Sequence, residues 1–143
     1  VDIQSQTIAA TTTPPVDTTD ILSPFLLAGM YGPYMTITYK ILGQLNPSAN
    51  SMSTVYTVPA SNSAVISTVV ICNQAVNSAA FSLAVVASGD SPTAKNFLNF
   101  QTPVPGNDSI TVTIGITMAA NDSIRANVTS SNVSVGIFGS EIY

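Results

Sequence analysis

Val133-Ser134-Val135-Gly136-Ile137 carries a large apolar side chain at every second position, with small residues between them. Phe81-Ser82-Leu83-Ala84-Val85 repeats the pattern. A period of two marks a strand that buries one face, so Val133, Val135 and Ile137, like Phe81, Leu83 and Val85, are expected to point inward. Ala and Leu around residues 79–87 would also suit a helix, but Val85-Val86 and the β-rich flanking segments favour a strand.

Outward from these two segments the same alternation and β-branched content place strands at 34–42, 54–58, 64–72, 79–87, 96–101, 110–116, 123–128 and 133–138, eight in all. The breaks between them, among them Asn46-Pro47, Pro59-Ala60-Ser61-Asn62, Ser88-Gly89-Asp90-Ser91-Pro92 and Ser130-Ser131-Asn132, supply the residues that turns require. Eight short strands bury more apolar surface than one open sheet can cover. The expected fold is therefore all-β, an antiparallel two-sheet β-sandwich of jelly-roll type over residues 34–143.

Residues 1–33 differ. Thr11-Thr12-Thr13-Pro14-Pro15 and Asp17-Thr18-Thr19-Asp20 have neither helical nor strand periodicity and read as an extended N-terminal arm. The arm ends in an apolar strip, Ile21, Leu22, Phe25, Leu26, Leu27, Met30 and Tyr31, interrupted by Pro24 and Gly29. Such a strip is expected to dock, either on the open edge of its own domain or on a neighbouring subunit, and these seven residues are the candidate assembly interface.

Composition excludes much of chemistry. The chain has no His, no Trp, one Cys and three basic residues (Lys40, Lys95, Arg125) among 143, and only 7% of its residues are charged against roughly 25% in an average domain. Without His there is no Ser-His or Cys-His nucleophile. A net charge of −4 with three cations cannot neutralise a row of phosphates, so no nucleic-acid partner is expected. The most apolar run, 21–31, is about half the roughly 20 residues of a spanning helix, and no membrane partner is expected either. The start at Val1 shows no basic, apolar leader and fits removal of an initiator Met.

Asp90, Asp108, Asp122 and Glu141 are the carboxylates that could act as an acid–base pair, as in a small hydrolase, but all four read as solvated turn or terminal residues. Asp108 and Asp122 with their Asn neighbours are the candidates for calcium, without the dense acid spacing of a calcium loop; no cofactor or metal is expected. Asn107-Asp108-Ser109-Ile110 recurs as Asn121-Asp122-Ser123-Ile124, which reads as one turn used twice. Cys72 alternates with Val70 and Ile66 and is expected to be a buried, inert thiol. Tyr31, Tyr34, Tyr39 and Tyr56 read first as core and sheet-surface residues, and second as a sugar-stacking platform.

The segments Tyr39-Lys40-Ile41-Leu42-Gly43-Gln44, Thr54-Val55-Tyr56-Thr57-Val58-Pro59-Ala60, Val69-Val70-Ile71-Cys72-Asn73, Thr113-Ile114-Gly115-Ile116-Thr117 and Phe138-Gly139-Ser140-Glu141-Ile142, with the Asn107-Asp108 turn, are the ones that carry a likeness. Over about residues 39–142 the chain resembles small virion structural proteins of tailed bacteriophages, particularly cyanophages. The resemblance implies a β-sandwich subunit of the particle, with a head decoration or cement role, a tail role or a fibre role, and brings no catalytic residue. The expected function is a non-enzymatic capsid decoration protein, located in the virion, that bridges subunits of the major capsid protein or other virion proteins as a homotrimer. The alternative is a tail or fibre adhesin that binds a host-surface glycan.

Overall fold

Nine strands are present in the computed structural model, which describes residues 35–143. They are β1 (Ile37–Leu45), β2 (Ser53–Thr57), β3 (Ser63–Asn73), β4 (Ala79–Val86), β5 (Phe97–Val104), β6 (Asp108–Val112), β7 (Ile116–Met118), β8 (Ser123–Val128) and β9 (Val133–Ile142). A single 3-10 turn, Ala94–Asn96, precedes β5. The arm assigned to residues 1–33, with its candidate interface residues Ile21, Leu22, Phe25, Leu26, Leu27, Met30 and Tyr31, lies outside the described residues, as does Tyr34.

The strands pair antiparallel in two sheets. The first runs β1-β9-β3, with β6 and β7 end to end along the far side of β3; the second runs β2-β8-β4-β5. Counting β6 and β7 as one interrupted strand leaves eight, four to a sheet, in the order of a jelly roll. Both segments that predicted the fold behave as their period demands. Val133, Val135 and Ile137 lie in the core, as do Phe81 and Leu83, while Val85 packs against it partly exposed. Ile66, Val69 and Ile71 from β3 meet Ile124, Ala126 and Val128 from β8 across the interior.

One irregularity crosses the whole first sheet. The pairing of β9 shifts at Ile137/Phe138 against β1, where Leu42 is the extra residue, and at Phe138/Gly139 against β3, where Ser67 is extra. On the far side of β3, β6 stops at Val112 opposite Val69 and β7 starts at Ile116 opposite Ile66. The segment 110–116, expected as one strand, is therefore broken where it passes the Ser67 bulge. Gly139 sits in this seam, where a Cβ would run into the Val65 carbonyl. Gly139→Val is expected to lower the unfolding free energy by about 2 kcal/mol, read from the urea midpoint, because backbone rather than a side-chain tip must move.

The same bulge corrects the reading of Cys72. Ile66 faces the core, but the extra residue at Ser67 reverses the alternation, so Val69 and Ile71 face inward and Val70 and Cys72 face out. Cys72 is a half-buried free thiol on the outer face of the first sheet, not a core residue.

The repeated Asn-Asp turn is a structural fact. Asn107 (φ 54°) and Asn121 (φ 68°) both adopt the left-handed conformation, one between β5 and β6 and the other between β7 and β8. Each carries the chain from one sheet to the other. Asn107 N–H donates to the Ala75 carbonyl, and Asn121 N–H to that of Val58. Asp122 then accepts the Ser88 and Ala119 N–H groups, one on each carboxylate oxygen, at 2.9 and 2.8 Å.

Candidate functional site

Among the described residues, strand β1 is one edge of the first sheet, opposite the β6–β7 edge. Its outward row is Ile37, Tyr39 and Ile41, and Tyr39 is 82% exposed. Edge strands are ordinarily blunted by an outward charge or a proline. Lys40 is the one charged residue of β1; it lies on the opposite face from that row, its side chain 45% exposed, with Nζ 2.5 Å from Glu141 Oε1. The second carboxylate oxygen accepts the Tyr56 hydroxyl at 2.6 Å, so the two sheets are joined through Tyr56, Glu141 and Lys40. The outward row Ile37, Tyr39 and Ile41 is left without a charge.

Glu141 is 3% exposed. The Lys40 ammonium and then the Tyr56 hydroxyl hold its carboxyl below the ordinary carboxylate value, against burial, which pushes it up. Burial first, and then the Glu141 carboxylate, push the Tyr56 phenol well above its usual value. Beside the edge, the Tyr143 hydroxyl and Thr38 Oγ1 are hydrogen-bonded at 3.0 Å, and the Thr36 and Tyr143 backbones exchange two hydrogen bonds.

The outer faces differ in character. On the first sheet a shallow hollow of about 400 Å³ is lined by Gln44, Val70, Cys72, Ser134 and Phe138. On the second a hollow of about 200 Å³ is lined by Asn50, Ser82, Phe97, Phe100, Gln101 and Asn127, together with Thr129. It is built by a bulge in β5. Leu83 pairs with Asn99 and Phe81 with Thr102, so Phe100 and Gln101 together oppose Ser82. The Ser82 hydroxyl accepts the Gln101 N–H at 2.9 Å and so closes the bulge. Phe97 and Phe100 pack edge to face, with ring centroids 5.1 Å apart and planes at 77°.

No protein-family model matches the chain, and no curated protein matches it. Among solved structures, a similar chain occurs in the structure of infectious bursal disease virus, Gx strain. It shares 7% identity with a TM-score of 0.40, over 76% of this chain and 31% of that one. The present chain thus spans about a third of that chain's length.

The residues singled out in the sequence fall in separate places. Asp108 and Asp122 stand at opposite ends of the β6–β7 edge, beside Asn73 and beyond Met118 respectively, and do not form one calcium site. Asp90 is 3.6 Å from Lys95 at the surface. Glu141, read as a solvated terminal residue, is instead buried, because β9 runs on to Ile142 rather than ending at Phe138. Tyr56 is in the core and Tyr39 on the outer face, so these two form no common platform; Tyr31 and Tyr34 lie outside the described residues. Among the described residues no three of His, Cys, Asp or Glu gather as metal ligands, and no helix is long and apolar enough to cross a membrane. Phe97, Phe100 and Gln101 were not marked by the sequence as anything but strand.

Proposed function

We propose that the chain is a structural subunit of a virus particle, a non-enzymatic decoration or cement protein that bridges subunits of the major capsid protein as a homotrimer. The observation that carries this reading is the edge of β1, which has no further strand among the described residues and presents the uncharged outward row Ile37, Tyr39 and Ile41. An unblunted edge offers backbone hydrogen bonds and apolar contact together, which suits a protein that is covered by neighbours in its working state. The jelly-roll order supports the same role. The arm residues Ile21 to Tyr31 belong to the proposal as a second contact that multiplies weak ones.

Cryo-electron microscopy of the virions that carry this chain tests the reading. The expected density follows β1 against a capsid or sister subunit at symmetric positions on the shell. The paired change Tyr39→Asp with Ile41→Asp is expected to leave the melting temperature within a few degrees, since both side chains are more than half exposed, and to abolish incorporation into particles. Full incorporation of that variant, or density at a tail tip with β1 facing solvent, would overturn the cement role.

A further inference from the structure

The outer face of the second sheet plays no part in that edge contact, yet it carries features that packing does not require. Asn50 (φ 58°) and Gln101 (φ 49°) are both in the left-handed region, which costs a residue with a Cβ on the order of 1 kcal/mol or more. Both line the same hollow. Asn107 and Asn121 hold the same conformation to turn a corner; Gln101 holds it in the middle of a strand, and its effect is to set Phe100 and Gln101 outward side by side. Phe100 is 65% exposed, an aromatic ring left in water beside amides.

The chemistry of the lining is specific. The side-chain amides of Asn50, Gln101 and Asn127 have no hydrogen-bond partner among the described residues, and each offers donors and an acceptor. No charged side chain lines the hollow, nor a second, wider one of about 360 Å³ that adjoins it across the Phe97 and Phe100 rings, beside Thr93 and Ala94. The edge-to-face contact covers one face of one ring only, and Phe100, 65% exposed, keeps aromatic surface open to the C–H groups of a ligand. A ligand that fits is uncharged, rich in hydroxyls, apolar on one face and long enough to cross an aromatic ridge from one hollow to the next.

We propose that the Phe97–Phe100 ridge, with the amides of Asn50, Gln101 and Asn127, is a binding site for a neutral oligosaccharide. Amides recognise vicinal hydroxyls by paired donation and acceptance, and the ridge takes the apolar face of a pyranose ring. Anionic sugars are excluded because nothing in either hollow compensates their charge. The site is independent of the β1 edge, so the subunit can be held in a particle and still present this face.

The test applies the full chain to an array of neutral, sialylated and sulfated oligosaccharides, followed by calorimetric titration with the best neutral one. Binding is expected to be confined to neutral glycans. Phe100→Ala weakens it about tenfold, as the loss of one aromatic contact implies, with an unchanged melting temperature because the ring is exposed. Asn127→Ala also weakens it, and Tyr39→Ala, on the other sheet, does not. Absence of binding to every neutral glycan at millimolar concentration, preference for the charged ones, or wild-type affinity in Phe100→Ala would each overturn the proposal.

Discussion

Lys40→Met is expected to lower the unfolding free energy at pH 7 by about 3 kcal/mol, because it leaves the Glu141 carboxylate buried without its cation. In a domain of this size the corresponding fall in melting temperature is about 12 °C. The double change Lys40→Met with Glu141→Gln should recover much of the loss, since an amide can still accept the Tyr56 hydroxyl and no charge remains inside. The pH profile separates this account from simple loss of packing. In the wild type the Glu141 carboxyl is held below its unfolded value, so its contribution is present above about pH 4.3 and is lost as pH falls through the depressed value. Without Lys40 only the Tyr56 hydroxyl opposes burial, so the folded value moves up towards the unfolded one and the acid limb should flatten. Tyr56 sets the alkaline limit. Its folded value is raised, so its contribution is present below about pH 10 and is lost as pH climbs beyond it, a limb that Tyr56→Phe should remove. Denaturant midpoints measured from pH 3 to 11 check all of these, and an unchanged acid slope in Lys40→Met would show that the pair does not govern Glu141.

Asn73→Leu is the second large effect expected. Asn73 is 1% exposed at the end of β3, where its Nδ2 donates to the Asn77 and Val104 carbonyls at 2.8 and 3.1 Å, with that of Pro105 at 3.3 Å. Its Oδ1 accepts the Ala75 N–H at 3.0 Å. One amide thus fastens the loop after β3 to the corner that leads into β6. Leucine fills the volume but leaves buried groups unpaired, at about 1–3 kcal/mol each, so a loss of about 3 kcal/mol is expected at the urea midpoint. Asn73→Asp should lose more at pH 7 than at pH 4, because the ionised carboxylate meets only carbonyl oxygens where the amide donated, and its protonated form donates once. Hydrogen exchange at Ala75 should quicken in both variants; protection kept at the wild-type level would show that the loop is held by something else.

The strands were legible because their burial is one-sided, and alternation records that directly. Val133 to Ile137 needed nothing more. What alternation cannot record is an inserted residue. Ser67 reverses the faces of Val70 and Cys72, and no residue at 67 or 68 announces it, since Ser and Thr fit a regular strand as well. At β5 the same holds: Phe97 and Phe100, three apart, would lie on opposite faces of a regular strand, and they come together because Leu98 is an extra residue between the Phe97–Ala84 and Asn99–Leu83 pairs. Glu141 was unreadable for another reason. Its burial depends on Lys40, 101 residues away along the chain, and on Tyr56, 85 away, and only the folded jelly roll brings the three together.

The place of β9 in the first sheet sets an order on how this domain can form. Of the described strands it is the last to be synthesised, yet it lies between β1 and β3, pairing with β3 along ten residues and with β1 along eight. Until it has left the ribosome, β1 has no partner in its own sheet, and β3 keeps one bare edge. The first sheet therefore closes only after translation of the domain is complete, through contacts of the longest sequence separation, which makes folding slow relative to a chain of local hairpins. During that interval all the strands of the second sheet, β2, β4, β5 and β8, are already available to pair. A chain truncated within 133–142 would lose the strand that joins β1 to β3, and with it the core side chains Val133, Val135 and Ile137.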